Sequence, residues 1–179
     1  MDAETTLKIY RVILNRYKDL IGEKESHSIS VIRQRVSPYN DTIRNTRNSI
    51  TSNIIGYEYR KDFFTAAQAA VNHIRKMETC EFAFTFWMDF KDMEELKVAT
   101  AYDKAIYLAA ILRSLGSENV RVLVTKKDNP YVKFVWNTVD YVFSPQTGSL
   151  LVGEDTLKLF KDDQVSYSFN DLVYEDHEE

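Results

Sequence analysis

The sequence predicts an α+β fold in which N-terminal helices precede an antiparallel β-sheet. Up to Leu115, apolar residues recur at steps of three and four, which is the spacing of helices that bury one face. After Gly116, the apolar residues form short β-branched and aromatic runs separated by turn residues, which is typical of strands. Helices followed by antiparallel strands are characteristic of the α+β class.

Composition favours one folded unit. The 179 residues are 44% hydrophobic and include only 5 glycines and 3 prolines, which argues against disorder. We expect a helical segment, 1–57, packed with a second part, 58–179, as one unit. Cys80 is the single cysteine, which excludes an internal disulfide and suits a reducing compartment. Because no apolar run approaches the roughly 20 residues of a membrane helix, we expect a cytoplasmic protein with no membrane partner.

Three helices are predicted in the first part of the chain. The first covers 4–21 and ends at Gly22. Its apolar seam is expected to dock on the rest of the domain, with a dimer contact as the alternative. The seam consists of Leu7, Tyr10, Leu14, Tyr17 and Ile21. The other two helices are predicted over 28–36 and 41–55, separated by a turn that contains Pro38.

The central helix is predicted over 100–115. Thr100 is a candidate N-cap, and Asp103 lies three residues later in a near capping box. Gly116 provides the stop signal. Before this helix, the pattern predicts helices over 61–77 and 93–98, and buried irregular structure over 82–88.

The strands follow the central helix and are joined by short turns. Val and aromatic residues dominate each run, and Pro, Gly and Asn occupy the connections. The predicted strands cover 120–125, 132–136, 139–143, 149–152, 165–169 and 172–174.

Charge is unevenly distributed along the chain, whose net charge is −4. Nine acidic residues lie between position 154 and the C terminus, whereas the stretch 28–56 carries a surplus of positive charge. We interpret these stretches as two solvated faces. Nucleic-acid binding through the arginine segment 33–47 is the alternative, disfavoured because the segment lacks lysine and the protein is acidic. The arginines are Arg33, Arg35, Arg44 and Arg47.

Local motifs occur in a definite order between about residue 60 and residue 152. Asp103 and Ala105 stand early in the central helix, which ends in Leu-Gly. The run Phe134-Val135-Trp136 follows on a predicted strand, and Ser144-Pro145 ends another. In this order the motifs resemble the transglutaminase-like domain of the papain-type cysteine-protease fold. The predicted helices between 28 and 55 resemble the leader of some archaeal members.

The resemblance implies that the reactive groups have been lost. The family places a nucleophilic cysteine in the first turn of the helix, a histidine in a His-x-Trp strand and an aspartate before proline. The corresponding positions here are Ala101, Phe134 and Ser144. Alanine offers no nucleophile, phenylalanine moves no proton and serine does not hold an imidazolium. We therefore expect a catalytically inactive protein without a cofactor or a metal site.

The expected function is a module that binds a protein, peptide or small molecule in an unknown process. Aromatic side chains would make the former cleft apolar, unless the protein's own side chains fill it. The candidate binding residues are Tyr102, Tyr131, Phe134 and Trp136.

A relocated active site is the second alternative. Cys80 is the only thiol, and His73 lies seven residues before it, so the two residues are candidates for a cysteine hydrolase or acyltransferase. A lone cysteine in an aromatic stretch is more often an inert hydrophobic residue.

Overall fold

A computed structural model describes residues 2–21, 29–83 and 86–177, and it confirms an α+β architecture. The helices are α1 (Ala3–Tyr17), α2 (Ile29–Arg35), α3 (Asp41–Thr51), α4 (Tyr59–Arg75), α5 (Phe90–Leu96), α6 (Ala101–Ser114) and α7 (Glu154–Leu159). The strands are β1 (Glu78–Thr79), β2 (Val98–Ala99), β3 (Arg121–Thr125), β4 (Pro130–Trp136), β5 (Val139–Phe143), β6 (Leu150–Val152), β7 (Val165–Phe169) and β8 (Tyr174–Asp176). In these parts of the chain, no helix combines the length and the apolar character needed to cross a membrane.

The main sheet has six strands in the order β6-β5-β4-β3-β7-β8, and every neighbouring pair is antiparallel. Strands β3 to β6 form a meander. Strand β7 then returns to the free edge of β3, so that Leu123 pairs with both Tyr131 of β4 and Ser168 of β7. The antiparallel sheet after the helices confirms the prediction for this part of the chain.

Helix α6 lies at the centre of the fold. All ten residues from Asp103 to Leu112 are buried, because α3 and α4 cover one side of the helix and the sheet covers the other. Thr100 is the N-cap, as predicted, since its side chain accepts a hydrogen bond from the Asp103 amide. The helix ends at Ser114, and the chain turns at Gly116, whose φ of 105° favours glycine. A Cβ at this position would lie 3.0 Å from the Tyr59 ring.

The N-terminal helices share the core of the sheet. Ile13, Val36 and Ile43 belong to the same apolar cluster as Phe63 and Phe134. Helix α1, however, docks through only part of the predicted seam, in which Tyr17 is buried and Ile21 packs against the core. The buried residues are Ile9, Ile13 and Tyr17, while Leu7 and Leu14 are 53% and 44% exposed. The prediction that the whole seam docks is therefore wrong, because steps of four residues from Ile9 turn α1 away from the side that carries the leucines.

Other elements differ from the prediction in their bounds. Asp89 caps α5 through the Lys91 amide, so this helix begins three residues earlier than predicted. It ends at Leu96 because Lys97 adopts a left-handed φ of 55°, after which β2 pairs in parallel with β1. Neither that two-stranded sheet nor α7 was predicted. In the stretch 82–88, residues 84–85 lie outside the described residues, and the remainder forms no helix or strand.

Candidate functional site

A cavity of about 440 Å³ opens at the N terminus of α6. Ala101, the first residue of the helix, lies in its wall beside Thr100 and Tyr102. Two chain segments face each other across this opening, and we refer to the space between them as the cleft. The first segment contributes Thr79, Cys80, Glu81, Phe82, Phe86 and Trp87, and the second contributes Lys127, Asp128, Asn129 and Pro130. Gln146, from a separate turn, completes the lining.

Backbone and side-chain hydrogen bonds fix the first wall of the cleft to α6. The Cys80 amide donates to the Ala99 carbonyl at 3.0 Å, extending the ladder between β1 and β2. Lys104, which is only 4% exposed, donates through Nζ to the Met77 carbonyl and to Thr79 Oγ1, each at 2.6 Å. Burial lowers the pKa of Lys104. This lysine therefore joins the helix to the wall and does not extend into solvent.

Tyr102 joins the second wall to the helix. Its hydroxyl donates to Asp128 Oδ1, and its ring lies 6.2 Å from the Trp87 ring in an edge-on contact. Burial and the hydrogen bond to Asp128 raise the pKa of Tyr102, so the phenol keeps its proton. Tyr102 thus spans the cleft from the loop after β3 to the aromatic residues of the first wall.

Asp103 lies directly behind the cleft and is 2% exposed. Thr100 Oγ1 donates to its carboxylate at 2.7 Å, and the Met88 amide donates at 3.2 Å. Burial raises the pKa of Asp103 to about 6, although these hydrogen bonds and the charge of Arg35 oppose the shift. The Arg35 guanidinium lies 5.4 Å from the Trp87 ring centre, so a cation–π contact covers this side of the cleft.

Cys80 lies in the cleft, where its surroundings favour the thiol over the thiolate. Its thiol is buried and lies 3.8 Å from the Glu81 carbonyl oxygen. Burial, followed by the nearby Glu78 and Glu81 carboxylates, raises the pKa of Cys80. A nucleophilic cysteine needs the opposite shift, because the thiolate is the reactive form.

His73 does not line the cleft. Its Nε2 lies 2.6 Å from Glu94 Oε1, within a separate polar cluster. Tyr107 donates to the same Glu94 oxygen at 2.5 Å, and the Tyr107 hydroxyl lies 2.8 Å from Thr46 Oγ1. Lys97 donates to the second Glu94 oxygen.

This cluster holds Glu94 in its charged form. Burial alone would raise its pKa, but hydrogen bonds from His73, Lys97 and Tyr107 lower the pKa to about 2. The candidate base His73 is thus bonded to a carboxylate and not to Cys80.

Of the three positions carried over from the transglutaminase-like motif, only Ala101 lines the cleft. Phe134 is 1% exposed and belongs to the core, where its ring stacks on Tyr141 at 5.1 Å. Ser144 is also buried, and it forms part of a turn in which its carbonyl accepts the Gly148 amide at 2.8 Å. The residue of β4 that does line the cleft is Pro130.

The four aromatic candidates do not form one surface. Tyr102 lines the cleft, whereas Phe134 and Trp136 lie on the inner face of β4. The Trp136 ring contacts Tyr59 at 5.5 Å. Tyr131 lies on the opposite face of the same strand, because odd and even positions alternate, and its ring contacts Phe160 at 5.5 Å. Strand alternation was the signal in the sequence that separates Tyr131 from the other two residues of β4.

The wall residues Phe82, Phe86 and Trp87 were not among the candidates. The signal for them is the aromatic stretch itself, because three rings close together in irregular structure are unusual outside a core or a binding site. Nothing in the local sequence identifies Lys127, Asn129 or Gln146 as their neighbours, since only the tertiary fold brings these loops to the helix.

The arginine segment makes contacts within the protein. Arg33 donates to the Asp171 carbonyl at 2.9 Å, and Arg44 forms an exposed ion pair with Asp41. Arg47 lies 5.9 Å from the Tyr57 ring centre. Arg33, Arg35 and Arg47 therefore contact groups of their own chain, whereas Arg44 is exposed.

In the described ranges, no group of three or more His, Cys, Asp or Glu side chains is placed to hold a metal ion. Comparison of the chain with family models, with curated proteins and with solved structures finds no match.

Proposed function

We propose that this chain is a binding protein on a transglutaminase-like scaffold, and that the cleft at the N terminus of α6 holds its ligand without covalent chemistry. One observation carries the proposal. An open cavity begins at the position where that family places its nucleophile, and Ala101 occupies this position. The volume of about 440 Å³ lies within the range of small-molecule sites and of short peptide segments.

The chemistry of the walls supports noncovalent binding. Aromatic rings offer apolar surface on one side, and the side chains of Asn129 and Gln146 provide hydrogen-bonding groups around it. The first turn of α6 adds backbone amides, whose partial positive charge favours a carbonyl or carboxylate group of the ligand. A ligand with one apolar group and one or two amide or carboxylate groups, such as a short peptide, fits this arrangement.

The two alternative functions are less well supported by the geometry. A Cys80 hydrolase would need a thiolate and a neighbouring base, whereas the pKa of Cys80 is raised and His73 is bonded to Glu94. A nucleic-acid site would need several arginines on one exposed face, and Arg33 and Arg35 instead contact their own chain.

The proposal is tested with a library of blocked tripeptides and small carboxamides, added to the ¹⁵N-labelled protein at millimolar concentration. Binders are expected to shift amide signals at 79–82, 100–102 and 127–130. Ala101→Phe should abolish those shifts by filling the cleft, whereas Asn48→Phe, which adds the same ring at an exposed site on α3, should leave them unchanged.

Two results would overturn the proposal. The first is that no compound binds in this region, or that Ala101→Phe leaves binding intact. The second is rapid labelling of Cys80 by iodoacetamide at neutral pH together with amide hydrolysis that is lost in Cys80→Ala, which would establish the hydrolase instead.

A further inference from the structure

Helix α1 carries a second apolar face in addition to the one that docks on the core. Ala3, Leu7, Tyr10 and Leu14 follow one another at steps of four, three and four residues. With Thr6 and Arg11 they line a shallow groove of about 580 Å³. Leu7 and Leu14 are 53% and 44% exposed, whereas Ile9 and Ile13 on the docked face are buried.

The spacing of this exposed face is that of a coiled-coil seam. Alternating steps of three and four keep one stripe directed at a partner helix, and the residues of the stripe pack as knobs into holes. Tyr10 attaches α1 to the first wall of the cleft, because its hydroxyl donates to the Glu81 carbonyl at 3.0 Å and its ring contacts Phe82. The stripe is therefore presented on a helix that the core and the aromatic wall hold in place.

Charges beside the stripe indicate which partner fits it. Glu4 and Arg11 flank the same side of the seam, seven residues apart, so they occupy equivalent heptad positions with opposite charge. When two copies of such a helix pack antiparallel, each of these positions faces its counterpart on the other helix. Leu7 then contacts the partner's Tyr10, and Ala3 contacts the partner's Leu14.

In that register, Glu4 of each copy approaches the partner's Arg11, so the interface contains two equivalent ion pairs. A parallel arrangement would bring neither pair together. Within one chain, Glu4 pairs with Lys8 at 2.7 Å, but both side chains are more than two-thirds exposed, so this pair contributes little and can be shared. The antiparallel arrangement also aligns the helix dipoles favourably.

We propose that α1 is a homodimer contact, in which the stripe Ala3, Leu7, Tyr10 and Leu14 packs antiparallel on the same stripe of a second copy of this chain. The contact is isologous, as two-fold dimers require. Because residues 3–14 supply less surface than the ~800 Å² per partner of a standard interface, the dimer is expected to be weak, with a Kd on the order of 100 µM.

Analytical ultracentrifugation of the whole chain between ~10 µM and ~1 mM, the range that brackets the expected Kd, tests the proposal. The weight-average mass should rise toward twice the monomer mass. Leu7→Lys/Leu14→Lys should remain monomeric throughout, with an unchanged circular dichroism spectrum. The matched control Leu157→Lys alters a leucine that is 66% exposed on α7, and it should dimerise like the unmodified chain.

A charge exchange tests the antiparallel register. Glu4→Arg and Arg11→Glu should each weaken the dimer by roughly three- to tenfold, since each change places like charges opposite one another. The double variant should recover the original Kd, and an equimolar mixture of the two single variants should form a heterodimer tighter than either homodimer. A chain that stays monomeric at 1 mM, or a dimer that the lysine pair does not affect, would show that a different occupant or none covers this face.

Discussion

Two carboxylates that lie against the same face of α6, one helical turn apart, have pKa values that are shifted in opposite directions. Asp103 is in the first turn behind the cleft, and Glu94 contacts Tyr107 in the next turn. Glu94 receives hydrogen bonds from His73, from the Lys97 ammonium and from Tyr107, and its pKa falls to about 2. Asp103 receives only uncharged donors, and its pKa rises to about 6.

At neutral pH, the ionised Glu94 carboxylate therefore stabilises the fold, whereas ionisation of the buried Asp103 carboxyl destabilises it. Between its ordinary pKa and about 2, Glu94 binds fewer protons in the folded state than in the unfolded state, so its stabilising effect is lost as pH falls. Between about 4 and 6, Asp103 binds more protons in the folded state, so the protein loses stability as pH rises through that window. Asp103, the group that reduces folding stability, lies beside the candidate binding cleft. Groups that reduce stability in this way are usually found at functional sites.

The largest expected effect is at the stabilising carboxylate. Glu94→Leu should lower the free energy of unfolding at pH 7 by about 3 kcal/mol, because the His73, Lys97 and Tyr107 donors lose a charged acceptor. Urea denaturation measures this change. The deficit should shrink as pH falls toward 2, where Glu94 itself becomes protonated.

Glu118→Leu provides the matched control, because Glu118 is an exposed glutamate. It should change stability by less than about 0.5 kcal/mol. Equal effects of the two variants would remove the distinction between the Glu94 cluster and an ordinary surface carboxylate.

A smaller effect with the opposite pH dependence is expected at Asp103. Asp103→Asn keeps one acceptor, for the Met88 amide, and places an NH2 group against the Thr100 hydroxyl, whose oxygen can accept from it; the asparagine does not titrate. Its stability relative to the unmodified protein should therefore increase by about 2 kcal/mol between pH 4 and pH 8, as the buried carboxyl of the unmodified protein ionises. Denaturation curves at several pH values give this difference directly. A difference that is flat with pH would mean that Asp103 is ionised without penalty.

The smallest effect concerns the link between the Glu94 cluster and α3. Thr46→Val removes the hydroxyl that lies 2.8 Å from Tyr107 and should cost about 1 kcal/mol. A double-mutant cycle with Tyr107→Phe should give a coupling energy of about 1 kcal/mol. Additive effects would show that the Thr46 hydroxyl contributes through packing and not through this bond.

The sequence predicts the central helix and the meander well because their signals are local. Thr100 and Gly116 mark the two ends of α6 to within two residues, and β3 and β4 are short runs rich in β-branched or aromatic residues. The parallel pair β1 and β2 was missed because two residues carry no periodicity, and the pairing joins segments about twenty residues apart. Helix α7 was missed because its exposed acidic residues resemble a loop.

The candidate site is predictable only in part. The helix cap predicts where α6 begins, and the resemblance to the transglutaminase-like motif singled out Ala101 there, which does line the cavity. Phe134 was chosen because Trp136 follows it by two residues, but its ring lies in the core between Phe63 and Tyr141. Which residue of β4 meets the helix terminus depends on the register and tilt of the strand. Local pattern does not encode that relation.

The two edges of the main sheet bear on how copies of this protein meet. Strands β6 and β8 contain three residues each, and β8 exposes Glu175 and Asp176 along its rim. Both edges are short and offer a second sheet few amide and carbonyl groups to pair with, and the carboxylates of β8 also repel an identical edge. Edge-to-edge pairing of sheets from two copies is thereby discouraged, even at high concentration, which leaves the exposed stripe of α1 as the proposed site of self-contact.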